Sequence, residues 1–281
     1  MDLTELTPRS LVEGLRRKLK KSLGQNFLLD ENVTRTIARE VESFRPSHIL
    51  EIGPGAGALS LALCSLNHPI AVVEKDDHCA EYLSHVFAER PDFSVIHGDA
   101  LSVDLPDFCA NPDARTVLAA NLPYNVASQI YFRFIDADLP LRGMVLMFQR
   151  EVADRFVAKP SDSQYGILSV VGQYYHEIER VIDVPPEAFY PAPKVTSTVL
   201  RFAPRTRTLT PAQEADFRKL VHASFALRRK TLANSLAGFA QMDKAAWTAR
   251  LTDLGFAPTV RAEALNISDF IRILKSLDSG C

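Results

Sequence analysis

The sequence predicts an α/β protein: a doubly wound, mostly parallel seven-stranded sheet followed by a small all-helical C-terminal domain. Three observations lead there. Five short apolar runs alternate with helical patterns up to about residue 150, the rhythm of parallel strands joined by crossover helices. Two further strand-like runs then lie close together, as in an antiparallel hairpin at a sheet edge. Beyond residue 204 the remaining apolar patterns have helical spacing.

The elements follow in order. Asp30 is a good helix N-cap, and Val33, Ile37 and Val41 repeat behind it on one face. His48-Ile52 reads as the first buried strand; a glycine turn and a helical stripe of Leu59, Ala62, Leu63 and Leu66 come next. Ile70-Val73, Ser94-His97, Thr116-Ala120 and Met144-Phe148 supply four more strands. Glu151-Ala158 and Gly166-Tyr174 read as helices, and Glu177-Val184 and Val195-Phe202 as the hairpin. The proline-rich loop between them (Pro185, Pro186, Pro191, Pro193) is stiff and is expected to point at whatever the sheet binds. Arg205-Pro211 is polar and aperiodic, a linker. After it, Phe217, Leu220 and Val221 share a face; Trp247, Leu251 and Leu254 form a second stripe ended by Gly255. Ser268 is the expected cap of a last helix carrying Ile271, Leu274 and Leu277. The expected domains are therefore 1–204, with a basic N-terminal arm over 1–29, and 205–281.

A chain of 281 residues with 47% hydrophobic and 23% charged side chains has the composition of a soluble globular protein. No apolar run approaches the roughly 18 residues of a membrane span, and no apolar signal core is visible near the N-terminus. Cys64, Cys79, Cys109 and Cys281 are scattered, without the pairing of a zinc site or a disulfide framework, so no metal and a cytoplasmic setting are expected. A net charge of −2 means that any nucleic-acid binding must rest on local patches. Arg16-Arg17-Lys18-Leu19-Lys20-Lys21 is one such patch, and Arg228-Arg229-Lys230, inside a helical pattern, is another. Either run by itself is equally the solvated face of a helix or a flexible arm.

The chemistry gathers at the ends of the predicted strands. Glu51-Ile52-Gly53-Pro54-Gly55-Ala56-Gly57 lies between strand and helix, where glycines let a ligand approach the backbone. Glu74 ends the second strand, placed to grip ribose hydroxyls. This pairing is common to dinucleotide dehydrogenases and S-adenosylmethionine enzymes. Gly-x-Gly-x-Gly is not the Gly-x-Gly-x-x-Gly that seats a pyrophosphate, and the loop carries an acid, so S-adenosylmethionine suits it better. Asp99, after the third strand, can accept a hydrogen bond from an adenine amine; read singly, Gly98-Asp99 is equally a plain turn. After the fourth strand comes Asn121-Leu122-Pro123-Tyr124, which joins an amide, a rigid turn and an aromatic ring. An enzyme that modifies an exocyclic amine on a flat base needs that combination: acceptors for the amine hydrogens and a ring for stacking. Alone, the tetrapeptide is also a strand-ending turn with a half-buried Tyr. Ligands bind at the carboxyl ends of parallel strands, and the four features fall there in order.

Lys21-Ser22-Leu23-Gly24-Gln25-Asn26-Phe27-Leu28, the glycine loop, Asn121-Leu122-Pro123-Tyr124 and Phe189-Tyr190-Pro191-Ala192-Pro193-Lys194-Val195 together resemble the ribosomal RNA adenine N6-dimethyltransferases. Phe225-Ala226-Leu227-Arg228-Arg229-Lys230-Thr231-Leu232-Ala233-Asn234-Ser235-Leu236 is similar to the small-subunit branch of that family, which dimethylates two adjacent adenosines in a hairpin loop near the 3′ end of the small-subunit RNA. Leu122 stands where amine methyltransferases at large often have proline; this branch accepts an aliphatic residue there. The resemblance implies a Rossmann-like class I methyltransferase domain using S-adenosylmethionine. It implies a cofactor site of Gln25, Asn26, Leu28, Gly53, Gly55, Glu74, Asp99, Ala100 and Asn121, and a catalytic group of Asn121, Leu122, Pro123 and Tyr124, with Phe189 on the other face of the target adenine. Arg17, Lys18, Lys20, Lys21, Lys194, Arg228, Arg229 and Lys230 would meet RNA. The implied partners are small-subunit ribosomal RNA and the assembling small subunit, with a monomeric enzyme and no membrane. Two rivals share the fold: a large-subunit adenine methyltransferase and a non-catalytic RNA-binding assembly factor.

Overall fold

The computed structural model describes residues 3–15 and 26–278. These form two compact units, one of the residues to Ala153 with Glu179–Pro204, the other of Asp154–Ile178 with the residues from Arg205 on. The chain passes from the first to the second within helix Arg150–Val157.

The first unit carries β1 (Phe27–Leu28), β2 (His48–Ile52), β3 (Ile70–Glu74), β4 (Phe93–His97), β5 (Thr116–Asn121) and β6 (Gly143–Gln149). To these it adds Glu179–Val184 of β7 (His176–Val184), β8 (Phe189–Tyr190) and β9 (Ser197–Pro204). Seven strands make one sheet in the order β4-β3-β2-β5-β6-β9-β7, with β2 to β6 parallel and β9 antiparallel to β6. The five parallel strands and the antiparallel edge are thus as expected. Val117, Leu118, Ala119 and Ala120 of β5 are all 0% exposed, which is why this strand reads as an uninterrupted apolar run. The order winds outward from β2 to β4, then returns to place β5 beside β2. A crevice opens where the winding reverses, past the carboxyl ends of β2 and β5.

Several helix starts follow from their caps. Asp30 accepts the Asn32 and Val33 amides to start helix Glu31–Ser43, and Asp76 does the same for His78 and Cys79 before helix Asp77–Val86. Gly57 opens helix Ala58–Cys64 at φ +91°, a left-handed value suited to glycine.

The structure differs from the sequence reading in five places. Residues 1–29 are not simply a basic arm: Pro8–Leu15 is a helix burying Leu11, Val12 and Leu15 in the core, and Phe27–Leu28 is a strand. The proline-rich loop folds back, pairing Phe189 with Leu28 and Tyr190 with Phe27. Residues 154–178 group with the C-terminal helices and not with the sheet, because helix Ile167–Tyr175 packs on helix Pro211–Phe225. There Tyr174 lies 4.7 Å from Phe217, and the Tyr174 and Tyr175 hydroxyls donate to buried Glu214 at 3.1 and 3.4 Å. The last helix, Ile267–Asp278, is capped by Asn266, which exchanges hydrogen bonds with Asp269, and not by Ser268; it buries Phe270, Ile273 and Leu274. Finally, Ala226–Lys230 is a turn and not helix, set between Pro211–Phe225 and the short helix Leu232–Ser235. No described helix is long and apolar enough to cross a membrane.

Candidate active site

One cleft, with roughly 1230 Å³ of empty space counting its open mouth, lies past the carboxyl ends of β2 to β5. Asn26, Leu28, Gly53, Gly55, Glu74, Asp99, Ala100, Asn121, Leu122, Pro123 and Tyr124 all line it, although they come from five separate stretches of sequence.

The glycine turn after β2 forms the floor. Gly53 and Gly55 have φ of +66° and +58°. A Cβ on Gly55 would also stand 3.0 Å from the Phe27 ring, a tight contact that adds to the conformational preference for glycine there. Glu74 at the end of β3 is 6% exposed. One carboxylate oxygen accepts the Gly55 amide at 2.9 Å and the other the Asp76 amide at 2.8 Å. Burial raises its pKa, and those amides oppose the rise. Together with a bond from the Lys75 amide they hold the carboxylate in place. Beneath it, Glu51 is 1% exposed and takes the Ser60 hydroxyl at 2.6 Å. Burial pushes its carboxyl up to about 8, with the Ser60 bond opposing and nearby Glu74 adding to the rise.

Asp99 follows β4. The Lys75 ammonium lies 2.7 Å from one of its oxygens and the Leu101 amide donates to the other at 2.9 Å. The Lys75 bond holds its carboxyl below the usual aspartate value. Arg133 donates to the Val103 carbonyl at 2.5 Å, tying down the same loop. Lys75 and Phe27 both line the cleft and neither is flagged by sequence reasoning. Phe27 sits within a recognisable stretch; Lys75 has only its place after Glu74.

The tetrapeptide forms the wall past β5, and each part of it is held. Asn121 Nδ2 donates to the Asn26 carbonyl at 3.3 Å, which orients the amide and leaves Oδ1 as an acceptor. The Pro123 carbonyl takes the Val126 amide at 3.1 Å, so of the two turn carbonyls Leu122 keeps the uncommitted one. Leu122 itself is 1% exposed, its side chain in the core. The Tyr124 hydroxyl pairs with Ser197 Oγ at 2.6 Å, fixing the ring, and burial raises its pKa so that it stays neutral. Two acceptors and an oriented ring thus face one space.

Other expected site residues lie elsewhere. Phe189 does not line the cleft: it is 3% exposed in the core, and the outward ring of β8 is Tyr190. The alternation of a strand decides this, since neighbouring side chains point to opposite faces. Lys194 is exposed on the loop after β8. In the second unit, Arg228, Arg229 and Lys230 are exposed on their turn; Arg228 donates to the Ser163 carbonyl and lies 4.0 Å from Glu263. Gln25, Arg17, Lys18, Lys20 and Lys21 fall outside the described residues.

Comparison with known proteins shows the family. The family model for ribosomal RNA adenine dimethylase matches residues 16–279. A ribosomal RNA small subunit methyltransferase A of Dinoroseobacter shibae is 39% identical over 277 residues, covering 97% of this chain and 96% of that protein. One of the same name from Bacillus mycoides is 37% identical, covering 96% and 94%. Among solved structures, a dimethyladenosine transferase from Plasmodium falciparum superposes with a TM-score of 0.76 at 23% identity, over 90% of this chain and 97% of that one. The 23S rRNA methyltransferase ErmE does so at 0.67 and 23%, over 90% and 100%; both likenesses speak for the fold. By the match along nearly its whole length, the chain belongs to the ribosomal RNA adenine dimethylase family.

Proposed function

We propose that this enzyme transfers methyl groups from S-adenosylmethionine to N6 of two adjacent adenosines in the 3′-terminal hairpin loop of small-subunit ribosomal RNA, giving N6,N6-dimethyladenosine. The observation that carries the reading is the orientation of Asn121. One of its two amide N–H groups is held by the Asn26 carbonyl at 3.3 Å, which fixes the amide and leaves Oδ1 as an acceptor. The chain acts, in this reading, as a cytoplasmic monomer on the assembling small subunit. The names of its relatives in two bacteria favour the small-subunit RNA over the large-subunit alternative.

The donor set of the cleft fits S-adenosylmethionine. Backbone glycines at positive φ admit a close ligand, Glu74 offers two fixed acceptors to ribose hydroxyls, and Asp99 offers one to the adenine amine. When bound, S-adenosylmethionine supplies an electrophilic methyl group on a sulfonium. The protein supplies the rest. An adenine N6 lone pair is delocalised into the ring and is a poor nucleophile until its hydrogens are held. Asn121 Oδ1 and the Leu122 carbonyl accept those hydrogens, localise the lone pair and aim it. Tyr124, held by Ser197, stacks on the base and adds about 1–3 kcal/mol of binding. No cleft group is needed as a base, because the methylated amine can release its proton to water. The rate advantage then rests on proximity and orientation, which can supply roughly 7–11 kcal/mol. The target must be unpaired or flipped, since N6 in a duplex is out of reach.

The deciding experiment is mass mapping of isotope-labelled methyl groups on purified small and large subunits lacking the modification. Two neighbouring dimethylated adenosines near the 3′ end of the small-subunit RNA are expected. Label on large-subunit RNA, or on neither, overturns the reading.

A further inference from the structure

Glu51 belongs to the wall of the cleft, yet only 1% of its surface is exposed. Its place is fixed by β2, where it pairs with Val72 of β3 and Ala119 of β5, both fully buried. Ser60 of helix Ala58–Cys64 is its only hydrogen-bond partner among the described residues, on one oxygen at 2.6 Å. No described cation pairs with it. Burial raises its pKa to about 8, the Ser60 bond opposing and Glu74 of β3 adding to the rise. The other groups around it are neutral or already paired. Cys64 stays a thiol, its pKa pushed up to about 12 by burial, and β5 brings no titratable side chain. Lys75 in the same cleft is engaged by Asp99 at 2.7 Å, Arg90 beside Cys64 by Asp92 at 2.6 Å, and Asp76 by the helix it caps.

A buried carboxyl beside a second one is unfavourable as an anion until a cation shares the space. In the reaction proposed above, the ligand of this cleft is such a cation before transfer and not after it. The donor carries a sulfonium, the spent product a neutral thioether, and otherwise the two offer the protein the same groups. An opposite charge nearby lowers a pKa by roughly one to three units, enough to carry a carboxyl raised to about 8 across neutrality.

We propose that Glu51 makes the cleft prefer the methyl donor over its spent product, standing ionised when the ligand sulfur is positive and protonated when it is neutral. The inference rests on the function proposed above and adds a specificity-determining residue to it. The proton balance closes. In the transfer the bond from methyl carbon to sulfur breaks with its electron pair left on sulfur, and the N6 lone pair forms the new bond from carbon to nitrogen. The positive charge passes to the amine and leaves as a proton to water, and Glu51 draws one proton back from water. Exchange of product for fresh donor returns that proton. Product is thereby held less tightly than donor, although every other contact is shared.

The test is calorimetric titration of the full-length protein and its Glu51→Gln variant with S-adenosylmethionine and with S-adenosylhomocysteine across roughly pH 6 to 9. Two buffers of different ionisation heat count the protons released on binding. Gln keeps the bond to Ser60 and cannot ionise, and each ligand's own amino group titrates alike with both proteins. Near neutral pH, donor binding should release about half to one proton more from the parent than from the variant. Across the range the parent's donor Kd should tighten roughly 10- to 50-fold relative to the variant's, while product binding shows neither difference. Ser60→Ala removes the bond that opposes the rise in the Glu51 pKa, so the donor's pH dependence should move to higher pH. Donor curves that coincide for parent and Glu51→Gln overturn the proposal. So does a product curve that differs between them as much as the donor's, or a Ser60→Ala curve that does not move. If the parent binds neither ligand, the cofactor reading above fails before Glu51 is at issue, and this inference falls with it.

Discussion

Replacing Asn121 by Ala separates the chemistry of the cleft from its affinity. The substitution removes the Oδ1 acceptor and the 3.3 Å bond to the Asn26 carbonyl but no core packing, since Asn121 is only partly buried at the end of β5. In the ground state the lost contact is a neutral hydrogen bond, worth about 0.5–1.5 kcal/mol. Donor affinity should therefore weaken by roughly tenfold at most. In the transition state the attacking nitrogen gains positive charge, its hydrogens become more acidic, and the bond to Oδ1 becomes charge-assisted and about twice as strong. Loss of one preorganised partner to developing charge costs on the order of 10²–10³ in kcat. The Leu122 carbonyl remains, so the lower end, about 100-fold, is expected here.

Single-turnover transfer of labelled methyl groups to unmethylated small subunits, with donor affinity by calorimetry, reads both quantities. A fall in kcat of less than fivefold would refute the acceptor role. A donor Kd that weakens as much as kcat falls would refute the distinction, because Asn121 would then be a cofactor ligand and nothing more.

Three further outcomes follow from other residues. Phe189→Ala should cost about 3–5 kcal/mol of stability in urea unfolding, as for a buried aromatic; a stable variant with lost turnover would instead return Phe189 to the cleft. Glu51→Gln keeps the Ser60 bond and removes a carboxyl whose pKa is raised from 4.5 to about 8 on folding. A raised pKa stabilises the fold below the unfolded value and loses that contribution as pH climbs through the folded one, so the parent should weaken relative to the variant between pH 4.5 and about 8. The difference is bounded at roughly 5 kcal/mol, and parallel unfolding curves across that window refute it. Charge reversal at Arg228, Arg229 and Lys230 should weaken small-subunit binding and flatten its dependence on salt, and unchanged binding would make this turn an ordinary solvated surface.

Much of the sheet was legible because buried parallel strands leave little choice of residue: Val117–Ala120 cannot be other than apolar. The order of site features was legible for a related reason, since glycine turn, Glu74, Asp99 and Asn121 each close a strand. What escaped depends on pairings between distant segments. β1 and β8 are two residues each, too short to show a period, yet their register decides whether Phe189 or Tyr190 faces outward. Lys75 looks like any exposed lysine until the fold brings it to 2.7 Å from Asp99. The helix Pro8–Leu15 carries an apolar stripe, but it precedes a basic run that drew the whole stretch into an arm. At the last helix two side chains compete for one cap, and Asn266 wins by exchanging bonds with Asp269.

The same long-range pairings explain how a turn without a base can direct methyl transfer. A free Asn-Leu-Pro-Tyr turn offers an amide that can flip, two carbonyls and a ring that can rotate. Here Asn26 fixes the amide, Val126 takes the Pro123 carbonyl and Ser197 takes the Tyr124 hydroxyl. Left to accept are one amide oxygen and one carbonyl, beside one ring face, the set an exocyclic amine on a flat base requires. Selectivity for an amine over a keto group follows, because a keto oxygen facing Asn121 Oδ1 and the Leu122 carbonyl has no hydrogen to give either. An inosine at the target position, which has no N6 to methylate, should therefore compete poorly for binding, while Ser197→Ala, which frees only the ring, should slow adenosine transfer without improving the binding of inosine. Inosine accepted as readily as adenosine in competition on the same subunits would show that the free valences of this turn are not what reads the base.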